Sequence, residues 1–354
     1  MLVSGKIVQT VALRMDKIPT LGDVAEKARV SKSTVSRVLN RSAKISSGTR
    51  ERVLDAVREL GYEPNIIARS LIKRKTYTIG VVLEDILNPF FAEVAKGIES
   101  ALKDTNYSML LTSSDYGEEN ELELTRKLLR YRVDGVLITP MEPESGAIAL
   151  LREKGLPFFI MNASSGEKDV SWIESDNLEG GYLAAKYLIG LGHRRLLCLR
   201  SMKLMGTRNR FDGFVRAVRE AGLSMDGHLV RGDVDSTKDS HALMNTIIDE
   251  IGPKNLPTGL VAVNDAVAIG AMESLFAHDV RIPEDVSIIG YDDINFAGLV
   301  RVPLTTIHQP KFKMGELAAR QLIDQIESGK EGVARQFLVE PSLVVRKSCA
   351  EVSG

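Results

Sequence analysis

The sequence is poor in cysteine and has no long apolar segment. Its two cysteines, Cys198 and Cys349, stand far apart among 354 residues, which argues against a metal cluster and predicts reduced thiols in a cytoplasmic protein. No run of about 18 apolar residues occurs, so we expect no membrane span. The first 17 residues lack a sustained apolar core and a small-residue cleavage site, and no signal peptide is predicted.

Phosphate-binding loops are also missing. Neither G-x-x-x-x-G-K-[ST] nor a G-x-G-x-x-G between a strand and a helix is present, which weakens the case for a nucleotide-dependent enzyme. A sugar-processing enzyme stays open through two carboxylates, Asp265 and Asp292, but no metal cluster or nucleophile elbow accompanies them. We therefore predict a protein that is not an enzyme and needs no cofactor.

Charge is distributed unevenly along the chain, although the formal net charge is only −1. Residues 1–75 contain 16 Lys or Arg against 7 Asp or Glu, whereas the remaining 279 contain 30 against 40. A basic head on an acidic body predicts a polyanionic partner for the head. A basic surface that contacts only solvent is the alternative.

The head, residues 20–62, has the pattern of three short helices. Thr20 is a candidate N-cap with Asp23 in the capping-box position, and Ser31 is a candidate N-cap for the second helix. The third helix is expected to begin after Ser46. Its predicted core residues are Val53, Leu54, Val57 and Leu60.

The second helix presents a polar surface to a partner. The residues predicted to face outward are Lys32, Ser33, Ser36 and Arg37. A helix that enters the DNA major groove reads bases with residues near its N-terminus, and Arg donates two hydrogen bonds to guanine. The pattern and the charge split favour a helix-turn-helix DNA-binding domain, with a three-helix protein-interaction module as the alternative.

Two stretches, TLGDVAEKARVSKSTVSRVLN and ISSGTRERVLDAVRELGYEPNIIARSL, resemble the DNA-binding head of the lac repressor family (LacI/GalR type) of bacterial transcription regulators. The resemblance implies that Lys32, Ser33 and Arg37 select the operator sequence. Contacts to the DNA backbone or neighbouring bases are implied for Thr20, Ser31, Thr34, Ser36 and Asn40. Family members begin shortly before Thr20. Residues 1–19 are thus an N-terminal extension, in which either translation begins at Met15 or residues 1–14 are a disordered tail.

Residues 63–76, EPNIIARSLIKRKT, are predicted to form a hinge. Pro64 stops the third helix, and a short helix that is marginal on its own can follow. In the family the matching segment folds against the DNA minor groove. The resemblance implies that Leu71 wedges between base pairs with Ala68 packed beside it. An ordinary basic linker is the alternative.

Residues 77–354 alternate between strand-like and helix-like segments. Apolar runs such as YTIGVVLED, VDGVLITP and VSIIGYDD have the length of buried strands, and amphipathic stretches separate them. This alternation predicts parallel sheets covered by helices. Two such series predict two lobes. The expected boundaries are 77–176 with 309–339 for lobe 1, and 177–308 with 340–354 for lobe 2.

Polar side chains stand at the ends of several predicted strands, where ligands of such folds bind. Carboxylate, amide and guanidinium groups beside a flat phenylalanine suit a polyhydroxylated ligand. The candidate ligand contacts are Asn88, Phe91, Arg210, Asn264, Asp292 and Gln309. Each alone has an ordinary alternative, because Asn and Asp cap helices and Phe packs in cores. We expect Asp265 or Asp293 to be such a cap.

The resemblance extends over essentially the whole chain through NPFFAE, RFDGF, VAVND, IPEDVSIIGYDD and PLTTIHQP. These match lac repressor family effector domains, which are similar to periplasmic sugar-binding proteins, and imply that the six candidates ring a bound sugar. Val234 and Ala163 stand where relatives often carry aromatic residues, which disfavours a purine. Lys203 and Arg208, close to Arg210, keep an acidic sugar or sugar phosphate open.

The predicted fold is a small all-α helix-turn-helix head plus a two-lobed, periplasmic-binding-protein-like α/β core. We predict a bacterial transcription regulator, expected to be a repressor, that binds double-stranded operator DNA as a homodimer and responds to a sugar-like effector between its lobes. The closing VVRKSCAEVSG lacks the leucine-rich helix of lac repressor tetramers. A phosphoprotein partner, a purine effector, or a solute-binding protein that binds no DNA are the alternatives.

Overall fold

A computed structural model describes residues 19–39, 45–62, 75–203, 205–227, 229–329 and 333–352. The chain forms two compact units, Met1–Thr76 and Tyr77–Gly354, which we call the head and the body. The predictions that lie outside the described residues are Asn40, Ala68, Leu71, nearly all of the extension 1–19 and most of the hinge 63–76.

The helices of the head are α1 Leu21–Lys27, α2 Lys32–Leu39 and α3 Ser47–Leu60. The predicted capping box is confirmed. The Thr20 hydroxyl accepts a hydrogen bond from the Asp23 N–H, and the Asp23 carboxylate accepts one from the Thr20 N–H. Arg29, with φ of 54°, turns the chain between α1 and α2. This turn and cap fix the direction in which α2 leaves α1.

A small apolar core joins the three helices of the head. Val24, Val35 and Val53 are completely buried at its centre. The prediction that Leu54 closes this core is wrong, because Leu54 is 41% exposed. Successive residues of an α-helix are rotated by about 100°, so Leu54 points away when Val53 points inward. One face of α2 therefore packs against α1 and α3, and the opposite face is directed away from the core of the head.

The strands of the body are β1 Thr78–Leu83, β2 Ser108–Ser113, β3 Gly135–Ile138, β4 Phe158–Met161, β5 Trp172–Ser175, β6 Leu196–Leu199, β7 Leu229–Arg231, β8 Gly259–Ala262, β9 Ser287–Asp292, β10 Thr305–His308, β11 Gln336–Val339 and β12 Ser342–Val344. The helices of the body are α4 Pro89–Leu102, α5 Glu118–Arg130, α6 Gly146–Glu153, α7 Asn177–Gly190, α8 Met205–Glu220, α9 Thr237–Ile251, α10 Asp265–Ala277 and α11 Lys311–Ser328. None of the helices in the described ranges is long and apolar enough to cross a membrane.

The strands form two six-stranded sheets, one in each lobe of the body. The first has the order β11-β5-β4-β3-β1-β2 and is parallel throughout. The second has the order β12-β10-β9-β8-β6-β7 and is parallel except for β12, which pairs antiparallel with β10. The predicted fold class, a helical head and a two-lobed α/β core with parallel sheets, is confirmed. The antiparallel edge was not predicted.

The central strands are apolar on both faces because helices cover both faces of each sheet. β3, β6 and β8 are buried at every residue. The chain passes from one sheet to the other after β5, after β10 and after β11. Two packed lobes with three connections place the carboxyl ends of several strands, and the loops that follow them, in one cleft.

Candidate functional site

The outer face of α2 carries the predicted DNA-reading residues. Lys32, Ser33 and Arg37 are exposed, as is Ser31 before the helix. The Ser31 hydroxyl caps α2 by accepting a hydrogen bond from the Thr34 N–H (3.1 Å). The Ser31 and Thr34 hydroxyls also hydrogen-bond each other (2.8 Å). The first turn of α2 thus presents hydroxyl and ammonium groups of the kind that bind phosphates and base edges.

Thr34 and Ser36 are only half-buried, and Thr20 is exposed beside α1. Gly22 faces the Lys32 side chain, because a Cβ built on Gly22 would lie 3.2 Å from Lys32 Cε. The absence of a side chain at Gly22 therefore leaves room for the lysine stem between the two helices. All seven predicted contacts that fall within the described part of the head are grouped along α1 and α2.

A cleft lies between the two lobes. Its volume is about 370 Å³ when the part that is open to solvent is included. The lining residues follow strands of both sheets, as expected for ligand sites in parallel α/β folds. The first lobe contributes Glu84, Asn88, Phe90, Phe91, Tyr116 and Asn162. The second lobe contributes Thr207, Arg210, Asp235, Asn264 and Asp292.

Five of the six predicted ligand contacts line this cleft, and Gln309 does not. Gln309 is completely buried, and its Nε2 donates a hydrogen bond to Asp292 Oδ1 (2.7 Å). Gln309 therefore lies on the protein side of Asp292, away from the cleft, and it orients the Asp292 carboxylate. Phe91 is 2% exposed, so it is both a core residue and a wall of the cleft.

Two lining asparagines also cap helices, which was the ordinary alternative for them. Asn88 Oδ1 accepts a hydrogen bond from the Phe90 N–H (3.0 Å) at the start of α4. Asn264 Oδ1 accepts one from the Val267 N–H (2.8 Å) at the start of α10. Each cap uses the amide oxygen. The Nδ2 group of Asn264 therefore stays available as a donor at the cleft wall.

The expectation that Asp265 or Asp293 caps the next helix is wrong. Asp265 is fully buried and accepts hydrogen bonds from the Thr306 hydroxyl (2.5 Å) and the Ile294 N–H (2.8 Å). Asp293 binds Arg346 (2.5 Å) through Oδ1. Asp265 does not line the cleft, and its two carboxylate oxygens bind Thr306 and Ile294 rather than facing a ligand.

Arg210 is the central cation of the cleft. Its Nε donates to Asn177 Oδ1 (2.8 Å) and its Nη1 to the Val263 carbonyl (2.7 Å). The guanidinium lies 3.7 Å from the centre of the Tyr291 ring, and Nη1 is 3.5 Å from Asp292 Oδ1. These contacts fix the plane of the guanidinium. Within the described residues Nη2 has no partner, and it is positioned to donate to a ligand.

Asp292 closes the second lobe's side of the cleft. It is the last residue of β9, has φ of 107° and is 4% exposed. A side chain held in this sparsely populated backbone region marks a position that the surrounding structure enforces. Burial raises the pKa of Asp292, and Arg210 and Gln309 partly offset this by stabilising the carboxylate.

A buried lysine fixes the backbone on both sides of Asp292. Lys311 is 1% exposed, and its Nζ donates to the carbonyl oxygens of Asp292 (2.5 Å) and Asp293 (2.9 Å). Lys311 begins α11, which packs against β3, β4 and β5 of the first lobe. The ligand-facing turn of one lobe is therefore bonded to a helix of the other.

Sequence reasoning missed several residues of the cleft, among them Glu84, Tyr116, Asn162 and Asp235. Their positions after strands could have identified them, because Glu84 follows β1, Tyr116 follows β2 and Asn162 follows β4. Tyr116 is an aromatic wall that was not anticipated. Burial and nearby acidic groups raise the pKa of its hydroxyl, so it stays protonated.

The two loop cations that kept an acidic sugar open do not line the cleft. Lys203 is paired with Asp235 (2.5 Å) and Arg208 with Glu142 (2.6 Å). The cleft itself is lined by three carboxyl groups and one guanidinium. Its lining therefore offers little to an anion.

Comparisons with known proteins match both units of the chain. Residues 20–65 match bacterial regulatory proteins of the lacI family, and residues 185–349 match a periplasmic binding protein-like domain. The HTH-type transcriptional repressor PurR of Photobacterium profundum is 34% identical over 336 residues, covering 94% of this chain and 99% of the relative. The ribose operon repressor of Escherichia coli (strain K12) is 35% identical over 310 residues, covering 87% and 93%.

Solved structures share the same architecture. The lac repressor dimer bound to operator and the anti-inducer ONPF has a TM-score of 0.84 and 28% identity, covering 94% of this chain and 100% of that one. A LacI family transcriptional regulator from Enterococcus faecium with bound ribose has a TM-score of 0.70 and 30% identity, covering 78% and 100%. The similarity to the first of these spans both the head and the body.

Proposed function

The chain belongs to the lacI family and is a DNA-binding transcriptional repressor, not an enzyme. From this premise, we propose that an uncharged sugar bound in the cleft controls how tightly a homodimer of the chain binds operator DNA. The observation that carries the proposal is the set of polar groups that both lobes direct into one cleft. A ligand that contacts both lobes favours one arrangement of them over another.

The chemistry of the lining favours hydroxyl groups as the ligand's recognised feature. Arg210 Nη2 and Asn264 Nδ2 are donors, and Asp292 is an acceptor whose Oδ1 is already oriented by Gln309. A sugar hydroxyl both donates and accepts, so one hydroxyl can bridge an amide donor and a carboxylate. Phe90 and Phe91 supply an apolar wall suited to the C–H face of a sugar ring.

The charge of the cleft favours a neutral sugar over an acidic sugar or a sugar phosphate. An anion would meet the carboxylate of Asp292 and that of Asp235, which already pairs with Lys203, and Arg210 is the single cation among the lining residues. Arg210 already faces Asp292 at 3.5 Å. Like charges brought together in a partly desolvated site repel each other. The bound ribose in the Enterococcus faecium structure provides a neutral pentose as the first probe.

On the DNA side, α2 is proposed to enter the major groove, with Lys32, Ser33 and Arg37 selecting the operator sequence. A symmetric dimer of the chain would place two heads on two half-sites. The lac repressor structure to which the chain is similar is a dimer bound to operator. The hinge residues Ala68 and Leu71, which lie outside the described ranges, are proposed to contact the minor groove.

The test is a thermal-shift screen of the full chain with ribose, other neutral sugars, sugar acids, sugar phosphates and purines. A ligand at 100 times its dissociation constant adds about 2.7 kcal/mol to the stability. We expect neutral sugars to give the largest increases in melting temperature. Asp292→Asn is expected to weaken the affinity for the sugar by about tenfold or more, as for a lost hydrogen bond to a charged group. Asp249→Asn, an exposed residue of α9, is the matched control.

The Asp292→Asn variant and the outcome of the screen together distinguish a neutral-sugar effector from the alternative effectors. Asp292→Asn is expected to keep operator binding, measured by fluorescence anisotropy, while losing the sugar response. A largest shift with a sugar phosphate or a purine would replace the neutral sugar in the proposal. A screen without any stabilising compound would favour a protein partner as the regulator.

A further inference from the structure

Glu84 is a buried acid in the cleft whose charge no neighbour balances. It follows β1 directly, lines the cleft and is 3% exposed. No Lys or Arg lies within 4 Å of its carboxyl group in the described part of the chain. The one cation of the cleft, Arg210, uses Nε and Nη1 for Asn177 and Val263. An ionised, unpaired carboxylate in such a place is costly.

The groups that face Glu84 come from several elements of both lobes. Asn162, after β4, donates from Nδ2 to Glu84 Oε1 over 3.4 Å. Glu121 of α5, Asp292 of β9 and Arg210 of α8 act on it through their charges, and the Tyr116 hydroxyl faces it closely enough for a charge on Glu84 to raise the pKa of Tyr116. Apart from Arg210, the charged groups of this set are acidic. They oppose a negative charge on Glu84.

These surroundings favour the proton on Glu84. Burial is the largest cause and raises the pKa of Glu84 to about 8, while the Asn162 hydrogen bond and Arg210 act in the opposite direction. At neutral pH most molecules therefore carry a carboxylic acid here. Because Asn162 donates to Oε1, the acidic hydrogen belongs on Oε2, which has no protein partner within the described residues.

We infer that Glu84 determines specificity in the cleft by presenting a protonated carboxyl group that donates a hydrogen bond to an oxygen of an uncharged effector. The inference rests on the proposed function and adds one donor to it. A neutral hydroxyl or ring oxygen accepts this bond without placing another charge beside Asp292. An effector ammonium group would instead need Glu84 ionised, so the cleft selects sugars over amino sugars.

The first test is calorimetric titration of the full-length chain with D-ribose at about pH 7 and about pH 9, which lie on either side of the Glu84 pKa. Binding to the protonated form is lost as that proton leaves. The wild-type affinity is therefore expected to fall about tenfold at the higher pH. Ribose binding at the higher pH is also expected to take up a proton, seen as a dependence of the binding enthalpy on the buffer.

Variants assign this behaviour to Glu84. Glu84→Gln keeps a neutral donor of the same shape, so its affinity is expected within about threefold of wild type at the lower pH and unchanged at the higher pH. Glu84→Leu removes the donor and is expected to lose at least about tenfold at the lower pH. Glu119→Gln, an exposed acid at the start of α5, is expected to behave as wild type.

Several results would overturn the inference. These are ribose affinity that rises with pH, an unaffected Glu84→Leu variant, or tighter binding of D-glucosamine than of D-glucose that Glu84→Gln abolishes. If ribose does not bind at all, the proposed effector fails, but the state of Glu84 is still decided by infrared spectroscopy at neutral pH. A carboxylic-acid band present in wild type and missing in Glu84→Gln supports the protonated donor, and no difference between the two overturns it.

Discussion

Arg208 of the second lobe donates a hydrogen bond of 2.6 Å to the carboxylate of Glu142, which follows β3 in the first lobe. The same guanidinium donates from Nε to the Met202 carbonyl (2.7 Å). Arg208 therefore connects the two lobes to each other and does not bind a ligand in the cleft. A pair that forms between lobes stabilises whichever arrangement of them brings the two side chains together.

Removing this pair is expected to weaken ribose binding slightly. The side chains of Arg208 and Glu142 are 39% and 43% exposed, and such pairs contribute about 0.2–1 kcal/mol, which is at most about fivefold in the dissociation constant. A double-mutant cycle of Arg208→Ala and Glu142→Ala, followed by calorimetric titration, isolates the pair from the Met202 contact. Strictly additive effects would mean that the pair does not take part in effector binding.

Gly181→Ala is expected to impair effector binding through packing. Gly181 lies on α7 where this helix crosses α8, and a Cβ there would lie 2.0 Å from the backbone oxygen of Arg210. The added methyl group must push Arg210 and its helix away from the cleft wall. Overpacking of this kind costs about 1–3 kcal/mol, so we expect lower stability in urea unfolding and at least about tenfold weaker ribose binding.

Gly190→Ala is the matched control for this prediction. Gly190 ends the same helix, and a Cβ there meets nothing within 4 Å. Replacing glycine by alanine in an unstrained helical position adds about 0.4–1 kcal/mol of stability. Equal behaviour of the two variants would show that the close approach of α7 and α8 does not position Arg210.

The features that could be predicted from the sequence are those that depend on residues close together in the chain. The capping box of Thr20 and Asp23 is present, and polar residues close to strand ends indicated four lining residues of the cleft, with Phe91 as a fifth, apolar one. The family resemblance is confirmed by relatives that cover nearly the whole chain. Helix caps and strand-end positions can be predicted because they depend on neighbours within a few residues.

Contacts between distant segments were not predicted. Asn162 reaches Glu84 across 78 positions of the chain, and no periodicity of either segment encodes that meeting. Gln309 was assigned to the ligand, but the packing of β9 and β10 buries it behind Asp292. The edge strand β11 alternates between exposed and half-buried residues over only four positions, too short for a strand signal.

Acid is expected to destabilise the body through His193. This residue is 2% exposed; its Nδ1 is 2.9 Å from the Thr258 hydroxyl and its Nε2 is 3.2 Å from the Ala350 carbonyl oxygen. Burial lowers the pKa of His193 in the folded chain. The unfolded chain, with a pKa of about 6.5, therefore binds this proton more readily. The contribution of His193 to stability is complete above that pH and is lost as the pH falls below it.

The measurement is urea unfolding of wild type and His193→Gln at about pH 7.5 and about pH 5.5, one unit on either side of the ordinary histidine pKa. Comparing the two proteins at each pH removes the contribution of other groups. We expect the stability advantage of wild type to shrink by up to about 1.4 kcal/mol at the lower pH. His241→Gln, on α9, is the control. A difference that does not change with pH would show that protonation of His193 is not coupled to folding.

Arg37→Ala is expected to reduce operator selection more than general DNA affinity. Arg37 is exposed on α2, one turn beyond Lys32 and Ser33, and a bidentate contact to guanine contributes about 1–3 kcal/mol of discrimination. Lys27→Ala removes the same charge from α1, where Lys27 pairs with Glu59 (2.5 Å), and serves as the control. An operator is first selected from random DNA with the wild-type chain. Binding of each variant to that operator and to unrelated DNA is then measured at one salt concentration, because phosphate contacts depend on salt. Equal losses on both DNAs for Arg37→Ala would make Arg37 a phosphate contact, whereas a loss confined to the operator assigns it to a base.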